Sequence, residues 1–285
     1  MTDLMDRQPL PPPIAGARPG PERPPRRTPV AVRVLWKVFA GIFVVAALFW
    51  GTYNVVVLLA HEERAESSSY PAGDLTALDV SSSAGSVRIV ATDGDTVDVR
   101  AEISDGLRST GERQEVVGGV LQLRASCPNI GSDWCRVDYE ISVPRDLALT
   151  VSSGNGRVEV TGTTGPVAVD ADDGTVVLTS VTGPLDVSTD NGRVEGVDLG
   201  SATTTADSDN GRVTLEFSAA PTTVVATTDN GSVEVVVPAD GTTYRLSLET
   251  GNGSRIAEVP DDPASDRSIT LRTDNGSVTA RTAAS

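Results

Sequence analysis

Lysine and histidine occur once each, as Lys37 and His61, and cysteine occurs twice, as Cys127 and Cys135, in 285 residues. Aromatic residues make up 4% of the chain. Beyond residue 60 they are Tyr70, Trp134, Tyr139, Phe217 and Tyr244. These shortages exclude whole classes of chemistry. With no histidine beyond His61, no Ser-His-Asp or Cys-His nucleophile and no multi-histidine metal centre can be assembled there. No lysine is available there as a base, and few aromatics leave no stacking platform for sugars. Acidic pairs of the kind used in glycoside hydrolysis are numerous, but nothing singles one out. The expectation is a non-enzyme with no catalytic residues and no cofactor.

Basic charge is also scarce where the chain is longest. Of 23 Lys+Arg and 39 Asp+Glu, seven basic and three acidic residues precede residue 61. The remainder carries 16 basic and 36 acidic side chains, a net charge of −20. Such a segment lacks the cations that nucleic acid phosphates require. Anionic lipid would repel it as well.

The chain divides into unequal parts. Residues 1–33 hold nine of the 18 prolines and no apolar period. They read as a disordered Pro/Arg-rich tail. Residues 38–60 carry no charge, and at 1.5 Å per residue they span roughly 34 Å, enough for a hydrocarbon core. The expected transmembrane helix covers residues 34–60, in contact with membrane lipid. A cleaved signal peptide is the rival, but its apolar core is normally shorter and ends in a small-residue cleavage site. Arg18, Arg23, Arg26, Arg27, Arg33 and Lys37 precede the span, which places the N-terminus in the cytoplasm and the rest outside. Ala47 and Gly51 form a small-xxx-small pair that would permit a homodimer through the span. Residues 61–73 read as a juxtamembrane linker.

Both cysteines fall on the outer, oxidising side, where two cysteines usually pair. Their spacing matches no zinc pattern. A Cys127–Cys135 disulfide would contribute about 2.5 kcal/mol; two free buried thiols are the alternative.

What the chain does have is repetition. Asn155-Gly156, Asp173-Gly174, Asn191-Gly192, Asn210-Gly211, Asn230-Gly231, Asn252-Gly253 and Asn275-Gly276 recur 18 to 23 residues apart. Ala84-Gly85 fills an earlier equivalent place. Val87, Val158, Val176, Val194, Val213, Val233 and Val278 follow two residues after the glycine. Gly253-Ser254-Arg255-Ile256 reads as carrying one extra residue. A fixed period in this range signals a stacked repeat. Around each Asn-Gly the residues alternate apolar and polar, as in Leu185, Val187 and Val194 against Asp186, Ser188 and Arg193, which gives half-buried strands.

Two architectures use such a pattern. Asn-Gly between alternating strands is a hairpin signal and would give an antiparallel meander or propeller. A β-solenoid instead stacks one repeat per coil about 4.8 Å apart. Short arms and a second recurring corner, Thr164-Gly165-Pro166 and Thr182-Gly183-Pro184, favour the solenoid. The fold expected is therefore all-β: a single-stranded β-solenoid of seven or eight coils over residues 149–285, behind one transmembrane helix and a disordered tail. Residues 74–148 read as an N-terminal β region with a Cys loop that covers the open end. The lengthening period implies longer corners in later coils.

Asp172, Asp190, Asp209, Asp229 and Asp274 share one repeat position and would form a column. Neighbours about 4.8 Å apart repel by roughly 0.9 kcal/mol in water. Turn capping by Asp and Asn side chains relieves this; a bound Ca²⁺ is the other reading. The Asn-Gly-Ser sequons at Asn230, Asn252 and Asn275 read as by-products of the repeat.

Tyr139-Glu-Ile-Ser-Val-Pro144 and Leu149-Thr-Val-Ser-Ser-Gly-Asn-Gly-Arg-Val-Glu-Val160 resemble the "putative adhesin" domain-of-unknown-function family of bacterial envelope proteins. The resemblance covers about residues 72–285. It implies β-strand repeats of a solenoid-like fold, often behind a single membrane span, and carries no catalytic residues. The function expected is adhesion, interaction with an envelope protein or glycan, or structural use at the cell envelope. Envelope-stress sensing through the Pro-rich tail is the alternative.

Overall fold

A computed structural model describes residues 30–59, 62–105, 110–127 and 135–284. Residues 1–29 of the tail, His61 and Trp134 lie outside them. The chain forms two units, residues 1–55 and 56–285.

In the first unit, α1 runs Val30–Leu59, four residues earlier than the expected start, so it takes in Arg33 and Lys37. Its Val34–Val55 stretch is long and apolar enough to cross a membrane, and none of that stretch is buried within the chain. The two polar side chains near its end bond within the helix. Thr52 Oγ1 donates to the Leu48 carbonyl at 2.8 Å, and Asn54 Nδ2 to the Trp50 carbonyl at 2.7 Å. Such back-bonding satisfies them without water.

From Glu62 on, the described residues of the second unit form strands and their connections, with one 3₁₀ turn at Ala72–Asp74. Its strands are β1 (Glu62–Pro71), β2 (Ala77–Ser82), β3 (Val87–Thr92), β4 (Thr96–Asp105), β5 (Gly111–Val117), β6 (Val120–Ser126), β7 (Arg136–Pro144), β8 (Ala148–Thr161), β9 (Val167–Thr179), β10 (Leu185–Leu199), β11 (Thr203–Phe217), β12 (Thr223–Asn230), β13 (Val233–Val237), β14 (Arg245–Asn252), β15 (Arg255–Glu258), β16 (Ser268–Asn275) and β17 (Val278–Thr282). All seventeen join one mixed sheet. Its centre is parallel and its N-terminal margin is antiparallel.

Strands β8, β9, β10 and β11 pair parallel in sequence order, Leu149 beside Val167, Val167 beside Leu185 and Leu185 beside Thr204. Each runs on through its Asn-Gly or, in β9, Asp173-Gly174, so these are not hairpin turns. The order then departs from the sequence. β12 and β13 pair with β16 and β17, and β14 and β15 pair with the far side of β16 and β17. The last strands of the chain are thus inserted between the two preceding repeats. The N-terminal side repeats the device, because β2 lies between β6 and β8, and β3 between β7 and β8.

The inward rows are apolar and stack on themselves. Val80, Val151, Val169 and Val187 form one row, and Val158, Val176, Val194, Val213 and Val233 another, all almost fully buried. β-branched side chains suit this pleated, buried surface. Burial of each such side chain contributes about 1.5–3 kcal/mol.

Two expectations need correction. Residues 62–71 are not a linker but strand β1, antiparallel to β4 from Glu62 beside Asp105 to Pro71 beside Thr96. As an edge strand of polar residues it lacks the alternation that betrays the others. Arg255 does not follow an inserted residue, since Asn252 aligns with Asn275 and Arg255 with Val278. It replaces valine because β15 ends the stack, where the inward position opens to solvent. The step from 18 to 19 residues at Gly192–Gly211 does arise at a corner: Leu199 stacks on Val181, yet Leu199 to Thr204 is one residue longer than Val181 to Leu185. Separately, the two residues between Gly196 and Leu199 oppose the one between Leu215 and Phe217, a bulge with Asp198 at φ 55°. Ser180 Oγ donates to Asp198 Oδ2 at 2.6 Å and holds it.

Candidate interaction surface

The Asn-Gly motif draws its meaning from stacking. At Gly211, φ lies outside the left-handed range, yet an added Cβ would fall 1.6 Å from the Gly192 carbonyl oxygen. Gly231 meets Gly211 in the same way and adds φ 155°. Backbones approach so closely in this column that no side chain fits. Beside it the asparagines form a ladder. Asn210 Nδ2 donates to Asn191 Oδ1 at 3.0 Å, Asn230 to Asn210 at 3.0 Å, Asn275 to Asn230 at 3.0 Å and Asn252 to Asn275 at 3.1 Å. The side chains therefore bond across repeats instead of capping their own turns. Asn155 and Asp173 align with Asn191 at the near end of the column.

Asp172, Asp190, Asp209, Asp229 and Asp274 stand outward next to this ladder, all exposed. Asp274 lies 3.8 Å from Arg272. Among the described residues no three His, Cys, Asp or Glu side chains converge closely enough to hold a metal ion.

A second, inward ladder went unread in the sequence. Three residues before each repeat glycine stand Ser82, Ser153, Thr189, Ser208, Thr228, Thr250 and Thr273, with Ala171 in the remaining place. Thr273 Oγ1 donates to the Gly231 carbonyl at 3.1 Å and Thr250 Oγ1 to that of Gly276 at 2.9 Å. The hydroxyls of Ser153, Thr189 and Ser208 are buried without a partner among the described residues. The fixed offset from glycine was the available signal.

The outward faces are flat and polar. Arg88 pairs with Glu159 at 2.8 Å and Arg281 with Glu234 at 2.8 Å, while Arg157 bonds Glu159 and Thr227 bonds Asp207. At the N-terminal margin a shallow groove of about 590 Å³ opens over β1, β3, β4 and β7, lined among others by Ser67, Ser69, Arg88, Arg100 and Glu140. Its serines belong to β1, which the sequence concealed.

The same margin is closed by a polar network. Tyr70 donates to Gln114 Oε1 at 3.0 Å, Gln114 Nε2 to Glu112 at 2.8 Å, and buried Tyr139 to Glu112 at 3.4 Å. Burial first, and then Glu112, push the Tyr139 phenol far above its ordinary range. Cys127 and Cys135 are disulfide-bonded with Cα atoms 5.7 Å apart. Next to them Asp105 accepts from the Thr110 N–H at 2.6 Å and from Arg64 at 2.8 Å. Burial pushes the Asp105 carboxyl up, but Thr110 and Arg64 outweigh it and hold it below its ordinary 3.8.

No family model matches the chain, and no curated protein matches it. Among solved structures it is similar to a "putative cell adhesion protein" from Clostridium sporogenes, at 12% identity and TM-score 0.35, over 78% of this chain and 100% of that one. A "putative adhesin" from Bacteroides fragilis gives 12% identity and TM-score 0.39 over 77% and 97%. A "putative lipid binding protein" from Parabacteroides distasonis gives 12% and 0.32 over 77% and 96%. At TM-scores this low, function has to be read from the chain's own geometry.

Proposed function

We propose that this is a non-enzymatic, single-pass membrane protein, anchored through α1, that presents a β-solenoid-like repeat domain outside the cell for adhesive contact with an envelope protein or glycan. The observation that carries this reading is the in-register stack built on the glycine column and the asparagine ladder. It sets identical backbone positions about 4.8 Å apart along flat polar faces. A surface of that regularity suits a repetitive partner, because many weak contacts add in register. Its burial is spent on rows of valine and not on an enclosed reactive cavity. The acidic faces favour partners that are neutral or basic, since like charge opposes encounter. No metal or cofactor is needed for such a role.

The test uses the full chain in bilayer nanodiscs and a sedimented envelope fraction from the same cells. Wild-type chain is expected to co-sediment with the fraction and to lose that binding when charge-reversing substitutions are placed at Asp186 and Asp207 on the outward face. Equal co-sedimentation of empty nanodiscs, or none by the wild-type chain, would remove the reading.

A further inference from the structure

Six Asn-Gly pairs are six places where asparagine can lose its amide spontaneously, because glycine leaves its backbone nitrogen free of steric cover. In this fold the nitrogens of Gly231 and Gly276 are occupied. Gly231 N–H donates to the Asn275 carbonyl at 2.9 Å and Gly276 to Asn252 at 2.8 Å, as Gly85, which follows Ala84, does to Asn155 at 3.0 Å. Each glycine thus bonds the asparagine of the next repeat in the stack. Gly253 has no next repeat. β14 pairs only with β16, and β15 only with β17. Its N–H has no acceptor among the described residues, and both Asn252 and Gly253 are exposed. The side chain is equally exceptional. Asn230 and Asn275 each donate to one neighbour and accept from another, whereas among the described residues Asn252 donates to Asn275 and accepts from none.

We propose that Asn252-Gly253 is a built-in chemical modification site: in the folded chain it deamidates well ahead of Asn230 and Asn275 in the same stack. The Gly253 nitrogen attacks Asn252 Cγ. The Cγ–N bond forms, the Cγ–Nδ2 bond breaks, and Nδ2 leaves as ammonia with the proton given up by Gly253. Water then opens the cyclic imide at either carbonyl, leaving aspartate or its β-linked isomer. Either product deletes the amide that donates to Asn275 Oδ1 and sets a carboxylate at the end of the ladder. The β-linked product also adds a backbone atom at the corner between β14 and β15, so Arg255 can no longer keep register with Val278.

Asn230 and Asn275 are the internal controls, since both are also followed by Gly-Ser. The full chain in detergent micelles, disulfide intact, is incubated at mildly alkaline pH. Peptide mass mapping then follows amide loss at each asparagine, beside a sample unfolded in denaturant. In the folded chain Asn252 is expected to convert about tenfold faster than Asn230 and Asn275, the factor set by one hydrogen bond that must first open. In denaturant the three are expected to convert at similar rates. Equal rates in the folded chain would overturn the proposal. So would an equal lead for Asn252 in denaturant, because the preference would then belong to its neighbouring residues and not to the fold.

Discussion

Glycine is present in the corner column for space as much as for φ. Gly211→Ala would drive a methyl group to 1.6 Å from the Gly192 oxygen, a backbone atom that cannot yield. Gly118→Ala meets nothing nearby but has φ 60°, so it carries only the backbone penalty. Thermal unfolding should therefore show Gly211→Ala costing upwards of about 3 kcal/mol and Gly118→Ala about 1 kcal/mol. The buried hydroxyls give a finer contrast. Thr273 bonds the Gly231 carbonyl, whereas the Thr189 hydroxyl is buried without a partner. Thr273→Val should cost about 1 kcal/mol, while Thr189→Val should be neutral or stabilising, because it removes an unpaired buried polar group. At this scale the sequence was legible where it repeats: the Asn-Gly period marked the column, and Leu185, Val187 and Val194 marked the core rows. The hydroxyl ladder repeats just as regularly, but serine and threonine also belong in loops, so composition hid it.

At the scale of elements, β1 illustrates what local pattern cannot disclose. Glu-Glu-Arg-Ala-Glu-Ser-Ser-Ser-Tyr-Pro has no apolar alternation, and only the pairing with β4 makes it a strand. The insertion of β16 and β17 inside β14 and β15 was equally hidden. Similar repeats can stack in any order, and only connection length, here residues 238–244 and 259–267, permits the exchange. Asp105 ties β1 to β4 through Arg64 and orders the start of β5 through Thr110. Its folded carboxyl titrates below 3.8. A depressed folded value contributes stability that is fully present above the unfolded value and disappears as pH falls through the folded one. The melting temperature of the wild-type chain should fall more steeply than that of Asp105→Asn as pH is lowered below about 4. At neutral pH the substitution should cost about 1–3 kcal/mol. Parallel pH dependences would show that Asp105 does not hold this margin.

The whole molecule combines a helix with exposed apolar residues and a β domain with a net charge of −20 after residue 60. Both features were plain in composition, because hydrocarbon thickness and solubility each act on summed properties and not on contacts. What the repeats bind was not legible, since polar faces satisfy their own partners and, among the described residues, no three His, Cys, Asp or Glu side chains converge. In the proposed arrangement α1 holds the chain in the membrane with the repeats outside. It is tested most directly by treating intact cells with a broad-specificity protease and probing with antibodies against residues 1–29 and 149–285. The repeat epitope is expected to be lost or shed, while the N-terminal epitope stays protected with the membrane. Loss of the N-terminal epitope with the repeats intact would contradict it.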